Sequence, residues 1–170
     1  MPANQIMKTH SYLLFKIGDE SFAANVTKVE SILELTKITK IPKTEKYVLG
    51  VINLRGTILP IVDIKLKFGM ELTQFTSNTC ILVMDIQLDS KPVKIGALVD
   101  SVLEVIEIND HEILPPPSLG SYYQSDFIEG MYRTDDSFVM LLDIESLFSS
   151  NELSYMSSAM LFDEDIHTVE

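Results

Sequence analysis

The sequence predicts an all-β protein made of two small five-stranded barrels, with little helix. Three observations carry that expectation: short apolar runs parted by turn chemistry, a repeat between the halves, and a repeat length that fits one small barrel. The runs are Tyr12–Ile17, Val48–Asn53, Thr57–Asp63, Cys80–Leu88, Val93–Val99 and Phe138–Asp143. They are rich in β-branched and aromatic side chains, which suit a pleated, half-buried surface. Between them lie Gly18-Asp19-Glu20, Arg55-Gly56, Asp89-Ser90-Lys91-Pro92 and Thr134-Asp135-Asp136-Ser137, whose residue types favour turns. Pro60 falls inside a run. It has no N–H to donate, so an edge, a bulge or a strand crossing is expected there. The segments Ile64–Gly69 and Ile144–Ser149 each leave room for a turn or two of helix. Residues 150–170 form a C-terminal tail, partly helical from about Asn151 or disordered.

The repeat sets Gly50 against Gly130. At that one spacing Asp63 falls onto Asp143, Ile64 onto Ile144 and Phe68 onto Phe148 without a gap. Upstream the spacing is slightly shorter. There Val26 meets Val99, Val29 meets Val102 and Ile41-Pro42 meets Leu114-Pro115. The difference falls in the longer loop Pro116 to Phe127. Two barrels side by side would occupy residues 8–149. Central strands buried on both faces account for near-continuous apolar runs such as Val48–Ile52 and Ile58–Val62.

The chain has 170 residues and is 46% apolar, enough to bury a core. With 25 acids against 13 bases its formal charge is −12. That balance argues against nucleic acid and against an anionic membrane surface, both of which call for clustered Lys and Arg. Cys80 is the one cysteine, so neither an intrachain disulfide nor a cysteine zinc cluster is expected. No apolar run is long enough to span a membrane and no secretion signal is read at the N-terminus, so a cytoplasmic protein is expected.

Little catalytic chemistry is visible. His10, His111 and His167 have no His or Cys three or four residues away, so no metal site and no cofactor is expected. Nucleotide cradles and nucleophile elbows are absent from the sequence. Cys80 opens an apolar strand and reads as a small buried hydrophobe rather than a catalytic thiol. Asp63 and Asp143 invite a paired-carboxylate reading. Their equivalent places, each at a strand end before an apolar turn, favour helix capping instead.

Two features survive. Arg55 is the one charge between Tyr47 and Asp63, beside Gly56 at a tight turn between apolar strands. Its counterpart in the second half is Asp135, so the turn itself does not need the positive charge. An exposed arginine on a rigid base offers a planar fork of donors to a partner's carboxylates or helix ends. The other feature is Ile113-Leu-Pro-Pro-Pro-Ser-Leu119, a stiff extended segment with Leu119 after it. It reads either as the cover of a barrel mouth or as an interface loop.

The stretch Gly50-Val-Ile-Asn-Leu-Arg-Gly56, followed by Ile58-Leu-Pro-Ile-Val-Asp-Ile64 and Phe68, resembles the signature of the CheW family of chemotaxis coupling proteins. The resemblance extends to Phe15–Phe22, Val26–Pro42, Ile95–Val102 and Ile113–Pro117, and so covers most of the chain. It implies two interlocked SH3-like barrels and a non-enzymatic scaffold without metal or cofactor. Its implied partners are a CheA-type histidine kinase and the cytoplasmic tips of methyl-accepting chemoreceptors, with the protein held at the membrane only through receptor arrays. By the resemblance Arg55 faces the receptor, with Val29, Gly50 and Glu30 near that surface, and Leu119 meets the kinase. A helix of the receptor is expected to lie in an open apolar groove between the barrels. Glu30 stands one place before the position that is often acidic in the family. An adaptor of another receptor–kinase pathway, or a small-molecule sensor using the groove, are the alternatives.

Overall fold

Alternating side chains, short turns and two parallel crossings build the architecture. The computed structural model describes residues 8–88, 90–116 and 127–148. In chain order these form β1 (Thr9–Ile17), β2 (Glu20–Asn25), β3 (Val29–Glu34), β4 (Val48–Leu54), β5 (Thr57–Asp63), α1 (Ile64–Lys67), β6 (Cys80–Leu88), β7 (Lys91–Val99), β8 (Ser101–Asn109), β9 (Ile113–Leu114), β10 (Ile128–Arg133), β11 (Phe138–Leu142) and α2 (Ile144–Leu147). One sheet has the order β8-β1-β2-β11-β10-β9 and the other β3-β6-β7-β5-β4.

The sheets interlock as expected, and they do so by the repeat. The hairpin β4–β5 does not stay with β1 and β2, which precede it. It joins β7 through the parallel register Ile61↔Gly96. The hairpin β10–β11 returns to β2 through Leu141↔Ala23. Ile61 and Leu141 are equivalent at the spacing that matches Gly50 to Gly130, and Ala23 and Gly96 at the spacing that matches Val26 to Val99. Each half therefore finishes the other's sheet. Even the irregularities are duplicated. Glu30 is skipped between Val29 and Ser31 as Leu103 is skipped between Val102 and Glu104. Leu49 and Glu129 are skipped in the same way beside Gly50 and Gly130.

Two details differ from the sequence reading. The first sheet has six strands, because Ile113–Leu114 pairs with β10 where the other half has a lone bridge, Thr39↔Val51. That bridge makes Thr39, and not Ile41, the counterpart of Leu114. The connecting loops have no continuous ladder to hold a common register, so the likeness of Ile41-Pro42 to Leu114-Pro115 does not carry into the structure. Pro60 sits where a proline costs least. It pairs with Val51, and the parallel ladder to β7 starts one residue later, at Ile61.

Three cores result. Tyr12, Leu14, Ala23, Ile108, Val139 and Leu141 fill the first sheet's curl. Ile52, Leu59, Ile61, Ile81, Val83 and Leu98 fill the second. The largest cluster lies between the sheets, where Leu13, Phe15, Ile17 and Phe22 of one meet Leu82, Met84, Ile86 and Ile95 of the other. Successive residues of β1 and β6 thus serve two different cores, which is why those strands read as unbroken apolar runs. Apolar side chains of both sheets fill the space between them, since each central strand is apolar on both faces. Among the described residues no helix is long and apolar enough to cross a membrane. Residues 149–170, including the expected tail and helix from Asn151, lie outside the described residues.

A candidate partner-binding cleft at Arg55

The site begins with a turn. Leu54 pairs with Thr57, leaving Arg55 and Gly56 as a two-residue loop between β4 and β5. Arg55 has φ of 53° and Gly56 has φ of 84°. Positive φ at both positions is the turn whose twist suits a tight hairpin. Asn, Asp or Gly adopt it readily, whereas arginine pays about 1 kcal/mol or more for a left-handed backbone. The Asn53 side chain steadies the loop by accepting the Gly56 N–H at 2.7 Å. Arg55 is exposed and has no ion pair with any described residue.

Around it lies a cleft of about 720 Å³, walled by β3, β4, β5 and β7 of the five-stranded sheet. Leu33, Leu54 and Leu59 form its apolar wall, and Ile32, 48% exposed, stands open on it. Glu30 and Lys94 complete it. The Lys94 ammonium donates to Glu30 Oε1 at 2.7 Å. This bond raises the Lys94 pKa above the ordinary lysine value, while the nearby Arg55 charge works against it. The cleft therefore holds two cations and one anion on a chain whose net charge is −12. A surface of this kind can bind an apolar side chain flanked by a carboxylate.

The residues singled out from sequence are distributed unevenly. Arg55 and Glu30 share the cleft. Glu30 reaches it because it is the extra residue of the β3 bulge. Val29 is adjacent in the chain, but its side chain packs against the core between the sheets. Gly50 is buried with φ of +145°, and a Cβ there would lie 2.1 Å from the Thr39 carbonyl oxygen. Its place is behind the hairpin and not on the surface. Leu119 lies outside the described residues. Lys94 and Ile32 were not singled out. Each is the outward member of an alternating strand, a signal that shows exposure but not which surface it joins.

The remaining candidates are structural. Asp63 is fully buried. Its Oδ1 accepts from the Lys65 N–H at 3.0 Å and the Thr73 hydroxyl at 2.8 Å, and its Oδ2 accepts from the Thr73 N–H at 3.0 Å. Asp143 caps α2 through Ser146. Both carboxylates cap the turn that follows them, as their equivalent places suggest. Cys80 opens β6, and burial raises its thiol pKa.

The family description "CheW-like domain" matches residues 11–152. The chain belongs to the CheW family. It is 34% identical over 140 residues to the chemotaxis protein CheW of Rhizobium meliloti, covering 82% of this chain and 88% of that protein. It is 29% identical over 147 residues to the chemotaxis protein CheW of Klebsiella aerogenes, covering 86% of each. The crystal structure of the scaffolding protein TtCheW from Thermoanaerobacter tengcongensis superposes with a TM-score of 0.74 at 31% identity, covering 85% of this chain and 96% of that one. The chain is thus a chemotaxis scaffold of the CheW type, with two interlocked SH3-like barrels, and the Arg55 cleft is a surface feature of the second sheet.

Proposed function

We propose that the Arg55 cleft receives the cytoplasmic tip of a methyl-accepting chemoreceptor, and that the protein couples this receptor to a CheA-type histidine kinase. Residues 8–149 are the coupling module in this reading, working in the cytoplasm and held at the membrane through receptor arrays. The observation that supports it is the backbone of Arg55. An exposed arginine kept in a left-handed conformation, where Asn or Gly would relieve strain, is retained for its side chain. Ile32 gives an apolar seat beside it, and Lys94 holds Glu30 so that the cleft keeps a positive excess. Val29 and Gly50 act from behind, the first by anchoring β3 and the second by letting the backbone at Thr39 close on β4. Leu119 is assigned to the kinase contact.

Binding of purified receptor-tip fragments to the immobilised protein tests the reading. Arg55→Glu is expected to weaken capture by roughly 30-fold, the size of an interface hot spot of about 2 kcal/mol. Far-UV circular dichroism should be unchanged. Capture that is equal for both proteins contradicts a receptor contact at Arg55.

A further inference from the structure

A second cleft, of about 600 Å³, opens elsewhere on the same sheet and shares no lining residue with the Arg55 cleft. Ile38, Leu72 and Phe75 give it an apolar floor, and Lys37, Lys40 and Lys46 stand on its rim. Leu72 and Phe75 are each 55% exposed. Large apolar side chains left open beside one another mark a surface that something covers. None of the three lysines has an ion pair with a described residue. Three cations without an ion pair among the described residues, around an apolar floor on a chain of net charge −12, call for an acidic and apolar occupant.

The chain carries such a segment. Residues 149–170 contain no Lys or Arg, and within them Leu161-Phe162 is followed directly by Asp163-Glu164-Asp165. The described part of the chain ends at Phe148, which Lys67 links to Tyr47 beside the cleft. The Lys67 ammonium stands 5.4 Å from the Phe148 ring centre and 4.4 Å from that of Tyr47. Tyr47 in turn lies between Lys46 and Val48, both of which line the cleft. From Phe148 to Leu161 the chain can span about 40 Å when extended, at ~3.3 Å per residue. Reach is therefore ample. Tethering also supplies an effective concentration on the order of millimolar, so weak contacts suffice.

We propose that the C-terminal segment Leu161–Asp165 docks in this cleft, with Leu161 and Phe162 on its apolar floor and the three acids facing Lys37, Lys40 and Lys46. The inference is independent of the Arg55 reading. It is tested on the full chain, isotopically labelled, with Cys80→Ser and a nitroxide attached at His167→Cys. The expected result is at least a twofold loss of amide signal at Lys37–Ile41 and Leu72–Phe75. Reversing the acids (Asp163→Lys, Glu164→Lys, Asp165→Lys) should restore those signals. Adding Lys37→Glu, Lys40→Glu and Lys46→Glu to that variant should bring the loss back. Undiminished signals at these residues overturn the proposal. So does a loss that arises only between a labelled copy and a nitroxide-bearing copy, which would make a second chain the occupant.

Discussion

Arg55 shows how one residue can be read from sequence while its surroundings cannot. A lone charge beside glycine between two apolar strands is legible as an exposed turn. The company it keeps is not, because Lys94 and Ile32 arrive on strands whose register no local pattern reveals. If the arginine is kept for its side chain at the expense of its backbone, Arg55→Asn should lose receptor capture while unfolding at equal or higher denaturant. The expected gain is up to about 1 kcal/mol. Gly50 makes the opposite case. Any Cβ at Gly50 meets the Thr39 carbonyl at 2.1 Å, in a conformation foreign to L side chains. Gly50→Ala should cost at least about 3 kcal/mol in a urea titration, or prevent folding. Tyr12 is buried and its phenol pKa is pushed up to about 12, first by burial and then by Glu129, to whose Oε1 it donates at 3.3 Å. The fold holds that proton more tightly than the unfolded chain does. The stability it contributes is present below about pH 10 and is lost as pH rises toward about 12. Tyrosinate absorbance should show a late-titrating phenol in the folded protein that Tyr12→Phe removes.

At the scale of the element, most of the runs found in sequence are central strands buried on two faces; β4 is the exception, an edge strand that is mostly half-buried. The strands β3 and β8 fall outside the runs because glutamates interrupt their apolar residues, which also blunts the exposed backbone of a sheet edge. The helices were legible as caps. Asp63 and Asp143 occupy equivalent places, yet they bear unequal loads. Asp63 is fully buried and holds both α1 and the Thr73 segment, whereas Asp143 serves Ser146 alone near the surface. Asp63→Ala leaves buried donors unsatisfied and should cost about 2–4 kcal/mol; Asp143→Ala should cost about 1 kcal/mol. Chemical denaturation of the two variants checks the ratio. Equal losses would mean that the Thr73 contacts add nothing.

The whole molecule is held by exchange between its halves. The repeat was legible because Gly50, Asp63 and Phe68 recur intact. The exchange itself was not, since offsets along the chain do not tell which sheet a hairpin completes; it entered through the family resemblance. Because β5 finishes one sheet and β11 the other over a shared core, neither half of the chain can complete a barrel without the other. This construction gives the Arg55 hairpin a rigid base, set by the parallel register of β5 on β7. That rigid, charged hairpin is the centre of the account, and a co-sedimentation assay tests it most directly. The protein is mixed with its CheA-type kinase and receptor-bearing membranes, and kinase activity is read in the pellet. Receptor-dependent activation that requires this protein is expected, and it should fall to background with Arg55→Glu although the variant remains folded. Full activation with Arg55→Glu, or activation without the protein at all, would contradict it.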